Sequence, residues 1–356
     1  MQTVIHVAES FGGGVSDAIS SYATNTPELE HKLLYTKRSA TPIDSKVLTK
    51  FSFSRQLGDG FFSRIIEIRK YARANPQAVF HAHSSWAGLL TRLATSKFKT
   101  PIIYTPHCYA FERTDVGMVT RFAFWVVELM LSLNTTVVAG CSPRESSLAN
   151  RLGSRSVYVP NVASAEFLDY SQNTFDSTKV QRRKFIAIGR LTPQKGPEYF
   201  LEVVKLMQSE EPDAKFIWIG DGDPSHRSQL ESNGVAVTGW ISKSEIMAEI
   251  SDSTACIHSA AWEGFPVSIL ETISLGVPVF ARDIKPLQGF TALRLFESPR
   301  ALSNAIANSN PSGFARILQA QKEMVASEFS NEVQAQRLLE VYSSSTQNRK
   351  KGRAHI

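Results

Sequence analysis

Short apolar runs alternate with amphipathic stretches twice along this chain, with a polar break between, and few folds accommodate that pattern. In the first half, Thr3–Ala8, Leu29–Tyr35, Lys46–Phe51, Ala78–Ala82, Pro101–Thr105, Thr135–Ala139 and Ser156–Val159 read as strands. Val15–Ala23, Phe61–Ala74, Ser85–Thr95, Val116–Leu133 and Pro143–Leu152 read as the helices among them. The last opens on Ser142-Pro143-Arg144-Glu145, a hydroxyl cap followed by proline and a returning carboxylate. From Ser164 to Gln181 no apolar period is sustained. The alternation then restarts, with strands at Phe185–Gly189, Lys215–Ile219, Val235–Thr238, Ala255–His258 and Val277–Ala281. Lys195–Ser209, Ser242–Ile250 and Pro266–Leu275 are the helices between them. Strands apolar on both faces and separated by helices belong to parallel sheets covered on both sides. The expectation is an α/β protein of two doubly wound, Rossmann-like domains. They span residues 1–162 and 184–330, with a linker over 163–183. A terminal segment, 331–356, carries a helix over Asn331–Ser343 that packs on one of the two, the first by preference. Its basic end, Asn348–Arg353, is expected to fray.

Length supports that division, since 356 residues exceed what one hydrophobic core ordinarily serves. A content of 42% apolar and 20% charged residues excludes a disordered or fibrous chain. The start, Met1-Gln2-Thr3-Val4-Ile5, lacks the cationic opening of a secretory signal. The longest greasy run, Phe122–Leu133, contains Glu128 and falls short of the ~20 residues a spanning helix needs. Cys108, Cys141 and Cys256 are isolated, as suits a reducing cytoplasm. Residues 1–162 hold 18 Lys/Arg against 11 Asp/Glu, whereas 163–356 hold 21 against 22. So diffuse an excess does not make a nucleic-acid stripe; it suits a phosphate group, an anionic membrane face, or simply a solvated surface.

Open parallel sheets bind ligands beyond the carboxyl ends of their strands, and the unusual residues fall there. Arg190 and Lys195 leave one strand end ahead of a helix; a guanidinium fork and a mobile ammonium together suit a pyrophosphate. Standing alone, the pair reads equally well as two exposed charges in a loop. From another strand end comes His258-Ser-Ala-Ala-Trp-Glu263-Gly264-Phe265-Pro266-Val-Ser-Ile-Leu-Glu271. Gly264 admits close approach to the backbone, and Pro266 fits a first helical position. Glu263 and Glu271 are spaced to meet different parts of one extended ligand, and apolar Ile269, Leu270 and Ile273 beside Glu271 argue against an idle surface carboxylate.

Arg190 with Lys195, and Glu263 with Glu271 inside Glu-Gly-Phe-Pro, resemble the second domain of family 4 glycosyltransferases of the GT-B fold. The resemblance extends to Glu9-Ser-Phe-Gly-Gly-Gly-Val15, His81-Ala-His83-Ser84, Tyr104–Phe111, Ser142–Glu145 and Val159-Pro-Asn161. It implies two domains facing across a cleft, and a retaining, metal-independent transfer from a nucleotide-diphosphate sugar, UDP-linked by preference. By that resemblance Arg190 and Lys195 hold the diphosphate, and Glu271 the ribose. Glu263, with the backbone of Gly264, Phe265, Pro266, Val267 and Ser268, meets the sugar and its phosphate. Gly13, Gly14 and Asn161 join the donor side, the base rests near Thr238-Gly239-Trp240, and His107 lies beside the sugar ring. A structural, hydrogen-bonded His107 is the alternative. His83, Ser84 and Tyr109 are assigned more loosely to the acceptor side. His81 and His83 share a strand face as metal ligands do, yet no third ligand stands at a useful spacing, so no metal is expected. The acceptor is expected to be a glycan or a lipid-diphosphate sugar in surface polysaccharide or glycolipid synthesis, at the cytoplasmic side of the membrane. Phe61–Arg73 and Arg121–Trp125 are either core-facing helix stretches or a peripheral membrane contact. A sugar-nucleotide epimerase or hydrolase, and a non-catalytic binding subunit, are the rival readings.

Overall fold

The computed structural model describes residues 1–37, 45–170 and 178–353. Its first sheet joins β1 (Thr3–Phe11), β2 (Glu30–Lys37), β3 (Phe53–Gln56), β4 (Val79–His83), β5 (Ile102–Thr105), β6 (Val137–Gly140) and β7 (Ser156–Tyr158) in the order β3-β2-β1-β4-β5-β6-β7. Its second joins β8 (Lys184–Ile188), β9 (Lys215–Ile219), β10 (Val235–Val237), β11 (Ala255–His258), β12 (Val279–Arg282) and β13 (Arg294–Phe296) in the order β10-β9-β8-β11-β12-β13. All pairings are parallel. Parallel neighbours cannot be joined by tight hairpins, so the connections cross the faces as helices and bury them. Every residue of β4 and β11 is accordingly buried.

The chain forms two compact units, residues 1–162 with the tail from Ser330, and residues 163–329. In the first, Leu338, Val341 and Tyr342 of the tail helix Asn331–Arg353 are buried with Val4, Tyr22, Val79 and Ile103. Gln334 closes this joint, donating to the Pro160 carbonyl at 2.8 Å and accepting from Asn25 at 2.8 Å. The helix continues through Arg353, where fraying was expected. In the second unit, Phe185, Phe200, Phe216, Trp218 and Phe280 fill the core.

Several elements differ from the sequence reading. Lys46–Phe51 is no strand: a helix covers Ser45–Leu48, and its Val47 and Leu48 pack beside Phe11, Ile19 and Phe51. The edge strand follows at Phe53–Gln56, and all four of its residues are exposed. The expected linker begins as part of the second unit, because Phe167 in the helix Ala165–Asp169 is buried and Glu166 pairs with Lys243 at 2.8 Å. Residues 171–177 of that linker lie outside the described residues. Strand β13 and the helices Pro224–Glu231, Pro299–Ala307 and Pro311–Glu328 were not anticipated.

Candidate active site

Each sheet reverses its strand order once, between β1 and β4 and between β8 and β11. Connections diverge to opposite faces at such points and leave a crevice beyond the strand ends.

In the second unit, β8 runs into Gly189 and Arg190, and β11 into Ser259 and the loop to Pro266. Gly189 has φ +147°, and a Cβ there would stand 2.9 Å from Lys195 Cδ. The lysine stem therefore lies across the glycine backbone, bringing its ammonium back toward the strand end that carries Arg190. Lys195 Nζ meets Glu263 Oε1 at 2.5 Å, and Gln194 Nε2 reaches the Trp262 carbonyl at 3.3 Å. Ser259 Oγ donates to the Lys195 carbonyl at 2.7 Å. Gly196, at φ +63°, has no room for a side chain: a Cβ would lie 2.3 Å from the Ser259 carbonyl oxygen. These contacts lock the two loops together. Arg190 is half-buried and makes no ion pair among the described residues.

Beside the pair lies buried His258, pushed down to about 3 by burial and then by Lys195, so its imidazole stays neutral. The helix Val267–Ser274 begins after Pro266, which caps it and does not occupy the first helical position. Gly264, Phe265, Pro266 and Val267 are buried and Ser268 is half-buried, with Phe265 packed on Phe329 and Phe290. That segment thus offers backbone and not side chains. Half-buried Glu271 accepts from Ser164 Oγ at 3.2 Å. Trp240 is 54% exposed beside Thr238, whose hydroxyl accepts from Gly220 N–H and donates to the Gly239 carbonyl.

In the first unit, Gly13 (φ +58°) precedes the helix Gly14–Asn25 at the end of β1, and neither Gly13 nor Gly14 has protein atoms within 4 Å of a built Cβ. Asn161 is buried. Strand β4 ends at His83, and Ser84, at φ +70°, opens the helix Ser84–Ala94. Beyond β5, His107 and Cys108 stand at φ +49° and +84°. Two successive non-glycine residues in the left-handed region carry strain that the surroundings must hold. Glu145 holds it. Its carboxylate is 1% exposed and accepts the Cys108 N–H at 2.5 Å and the Cys141 N–H at 2.9 Å. Burial raises its pKa, and the two N–H bonds oppose that shift. Glu145→Gln keeps one acceptor and turns an amide N–H toward the other donor. A loss of about 1–3 kcal/mol is expected in urea unfolding; an unchanged midpoint would remove this role.

His107 is also the end of a chain of imidazoles. His107 Nε2 lies 3.2 Å from His83 Nδ1, His83 Nε2 2.9 Å from His6 Nδ1, and His6 Nε2 2.9 Å from His31 Nδ1. His31 Nε2 ends the run against Thr26, 3.1 Å from its carbonyl and 3.0 Å from its hydroxyl. His83 is fully buried within this chain, and Tyr109 is 1% exposed and stacked on Phe111, so neither presents its side chain to an acceptor as expected.

A third histidine does accompany His81 and His83, contrary to the sequence reading. His6 pairs with His81 in register, and the three bring ligand atoms within 4.8 Å of one another. Their ring nitrogens are already engaged, His81 with Tyr342 Oη at 3.0 Å and Thr105 Oγ1 at 2.8 Å, the other two within the chain. A cation would have to break those bonds. Besides His6 and His31, sequence reasoning gave no role to Gln194, Ser164 or His258 as neighbours of the candidate groups, although Gln194 precedes Lys195 and His258 opens the run that ends at Glu271.

Profiles of two families cover both units: "Glycosyl transferases group 1" over residues 182–309 and "Glycosyl transferase 4-like domain" over residues 39–161. The chain belongs to the family 4 glycosyltransferases. A Klebsiella pneumoniae protein described as "Uncharacterized 41.2 kDa protein in cps region" is 27% identical, the match spanning 80% of this transferase and 82% of that protein. An Escherichia coli UDP-Gal:alpha-D-GlcNAc-diphosphoundecaprenol alpha-1,3-galactosyltransferase is also 27% identical, over 62% of this chain and 61% of its own. Among solved structures, the sucrose-phosphate synthase of Thermosynechococcus elongatus superposes with TM-score 0.79 at 16% identity, over 98% of this chain and 100% of that one. Anabaena HepE in complex with UDP and glucose gives 0.77 at 15%, over 97% and 100%. The fold is GT-B, with two Rossmann-like domains. The transferase moves a sugar from a nucleotide-diphosphate sugar to an acceptor. Among the described residues no helix is long and apolar enough to cross a membrane.

Proposed function

We propose that the transferase is retaining and metal-independent, and that it uses a UDP-sugar to extend a lipid-diphosphate-linked glycan in surface polysaccharide synthesis. The observation that carries this reading is the half-buried Arg190, without an ionic partner among the described residues, next to the Lys195–Glu263 pair at the β8–β11 switch point. In this reading Arg190 and Lys195 take the diphosphate, the N–H groups of Gly264, Phe265, Val267 and Ser268 and the Glu263 carboxylate take the sugar and its phosphate, and Glu271 takes the ribose hydroxyls. The loop at Gly13 and Gly14 serves the phosphates, and His107 serves a sugar hydroxyl. Support for the nucleotide comes from the UDP bound by HepE and the UDP-Gal named for the Escherichia coli relative, which also names a diphosphoundecaprenol acceptor.

The chemistry follows from charge. As the anomeric C–O bond breaks, the sugar becomes cationic and the diphosphate gains negative charge, so the two cations bind the transition state more tightly than the ground state. The acceptor hydroxyl attacks from the face the diphosphate leaves, and its proton passes to the departing phosphate oxygen. A panel of nucleotide sugars read by thermal shift tests the donor, since ligand bound only to the folded state raises its stability. Turnover with a diphosphate-lipid acceptor, undiminished in chelator, is then expected. Hydrolysis or epimerisation without acceptor, or stabilisation by donors with no turnover, would overturn the reading.

Membrane contact at the cytoplasmic face is part of the same proposal. The helix Met118–Ser132 exposes Met118, Val119, Phe122 and Met130, each more than half accessible, with Arg121 among them. In the helix Phe61–Ala74 only Ile68 and Ala72 are buried, so Phe62 and Ile66 face outward beside Arg64, Arg69 and Lys70. Apolar and basic side chains together bind interfaces rich in anionic lipid. Flotation with vesicles containing phosphatidylglycerol is expected, with little on neutral vesicles; equal behaviour on both would dismiss the contact.

A further inference from the structure

The imidazole chain has a direction, and one backbone carbonyl sets it. A carbonyl oxygen only accepts, so it calls for a proton on His31 Nε2, 3.1 Å from Thr26 O. The Thr26 hydroxyl leaves no other choice, because its single hydrogen is given to the Tyr22 carbonyl at 2.7 Å and toward His31 it too can only accept. A neutral His31 protonated at Nε2 has a bare Nδ1, which must receive a proton from His6 Nε2. The same step repeats from His6 Nδ1 to His83 Nε2, and from His83 Nδ1 to His107 Nε2. Any ring in the other tautomer would set lone pair against lone pair, or N–H against N–H, inside a buried core.

We propose that the Thr26 carbonyl, acting through His31, His6 and His83 as positioning residues, fixes His107 as the Nε2–H tautomer and leaves its Nδ1 as a hydrogen-bond acceptor for the donor sugar. This rests on the reading of His107 as the residue that serves a sugar hydroxyl. Among the described residues His107 Nδ1 has no hydrogen-bond partner of its own. Burial supports the scheme by keeping the chain neutral: it lowers His6, His31 and His83 and pushes His107 down to about 4. A second proton on His83 would reverse the bond to His107, so neutrality is part of the device. The bonds also give these buried rings a purpose that needs no metal.

Long-range proton–nitrogen correlation on the full chain, labelled with 15N-histidine and free of donor, reads each tautomer. All four rings are expected as Nε2–H; an Nδ1–H signal from His107 would overturn the proposal without any variant. His31→Phe keeps a ring against His6, whose centroid lies 5.2 Å from that of His31, but removes the acceptor. It is expected to give mixed tautomers at His107 and to lower kcat by about two- to tenfold, the share lost to the wrong form. His31→Asn places an oxygen where Nδ1 was and should restore both. An unchanged His107 signal in His31→Phe, or no recovery in His31→Asn, refutes the relay. Should the spectra agree while His107→Ala turns over normally, the relay stands and the assignment of His107 to the sugar fails.

Discussion

Arg190→Ala is expected to lower kcat by about 10²–10³, with a much smaller change in donor affinity. The argument starts from the guanidinium's surroundings. It is half-buried at the end of β8 and has no ion pair among the described residues, so its charge is not consumed within the fold. Lys195, by contrast, is held against Glu263. Arg190 therefore meets the leaving diphosphate with its charge undivided, whereas Lys195 shares its own with Glu263. A group whose attraction to the diphosphate strengthens as the glycosidic bond breaks lowers kcat and kcat/KM together when removed, while uniform binding would show in KM alone. Stability should hold, because no buried partner is orphaned. Steady-state kinetics with a matched thermal melt checks both halves. Near-normal turnover would withdraw the assignment; Arg190→Lys should retain part of the rate, since it keeps charge but loses the fork.

Which features were legible in the sequence depended on whether burial or register produced them. Central strands such as Val137–Gly140 and Ala255–His258 are buried on both faces, so they read as almost wholly apolar runs. Edge strands escape that rule: Phe53–Gln56 is exposed throughout, and Arg294–Phe296 is hardly longer than a turn. Three of the missed helices, Pro224–Glu231, Pro299–Ala307 and Pro311–Glu328, did carry a signal. Asp223, Ser298 and Asn310 each cap a helix that begins with proline, the pattern that identified the helix after Ser142. Long apolar periods drew attention away from it.

The candidate site divides the same way. Arg190, Lys195, Glu263 and Glu271 stand out because each follows a strand end or lies in the helix after one. That Lys195 and Glu263 bind each other depends on how two loops 68 residues apart close, which no local pattern records. His6 and His31 gave no signal, since only the pairing of β1 with its neighbours brings them into line with His83. Tyr109 misled for the opposite reason: an aromatic beside a candidate loop is as often its support as its surface.

The Lys195–Glu263 pair leads to the second large effect. Lys195→Met is expected to cost about 10²–10³ in kcat, through loss of charge at the leaving phosphate. Glu263→Gln leaves Lys195 without its counter-charge, 20% exposed at the side chain, and frees it to pair more tightly with the donor diphosphate. Donor affinity should then rise or hold while kcat falls, because a cation already satisfied by the ground-state diphosphate gains less on going to the transition state. The double variant should be no slower than Lys195→Met alone within a few-fold, as expected of groups in contact that act as a unit. Additive losses in that cycle would mean that the two side chains serve separate steps, and that their 2.5 Å contact is incidental to catalysis.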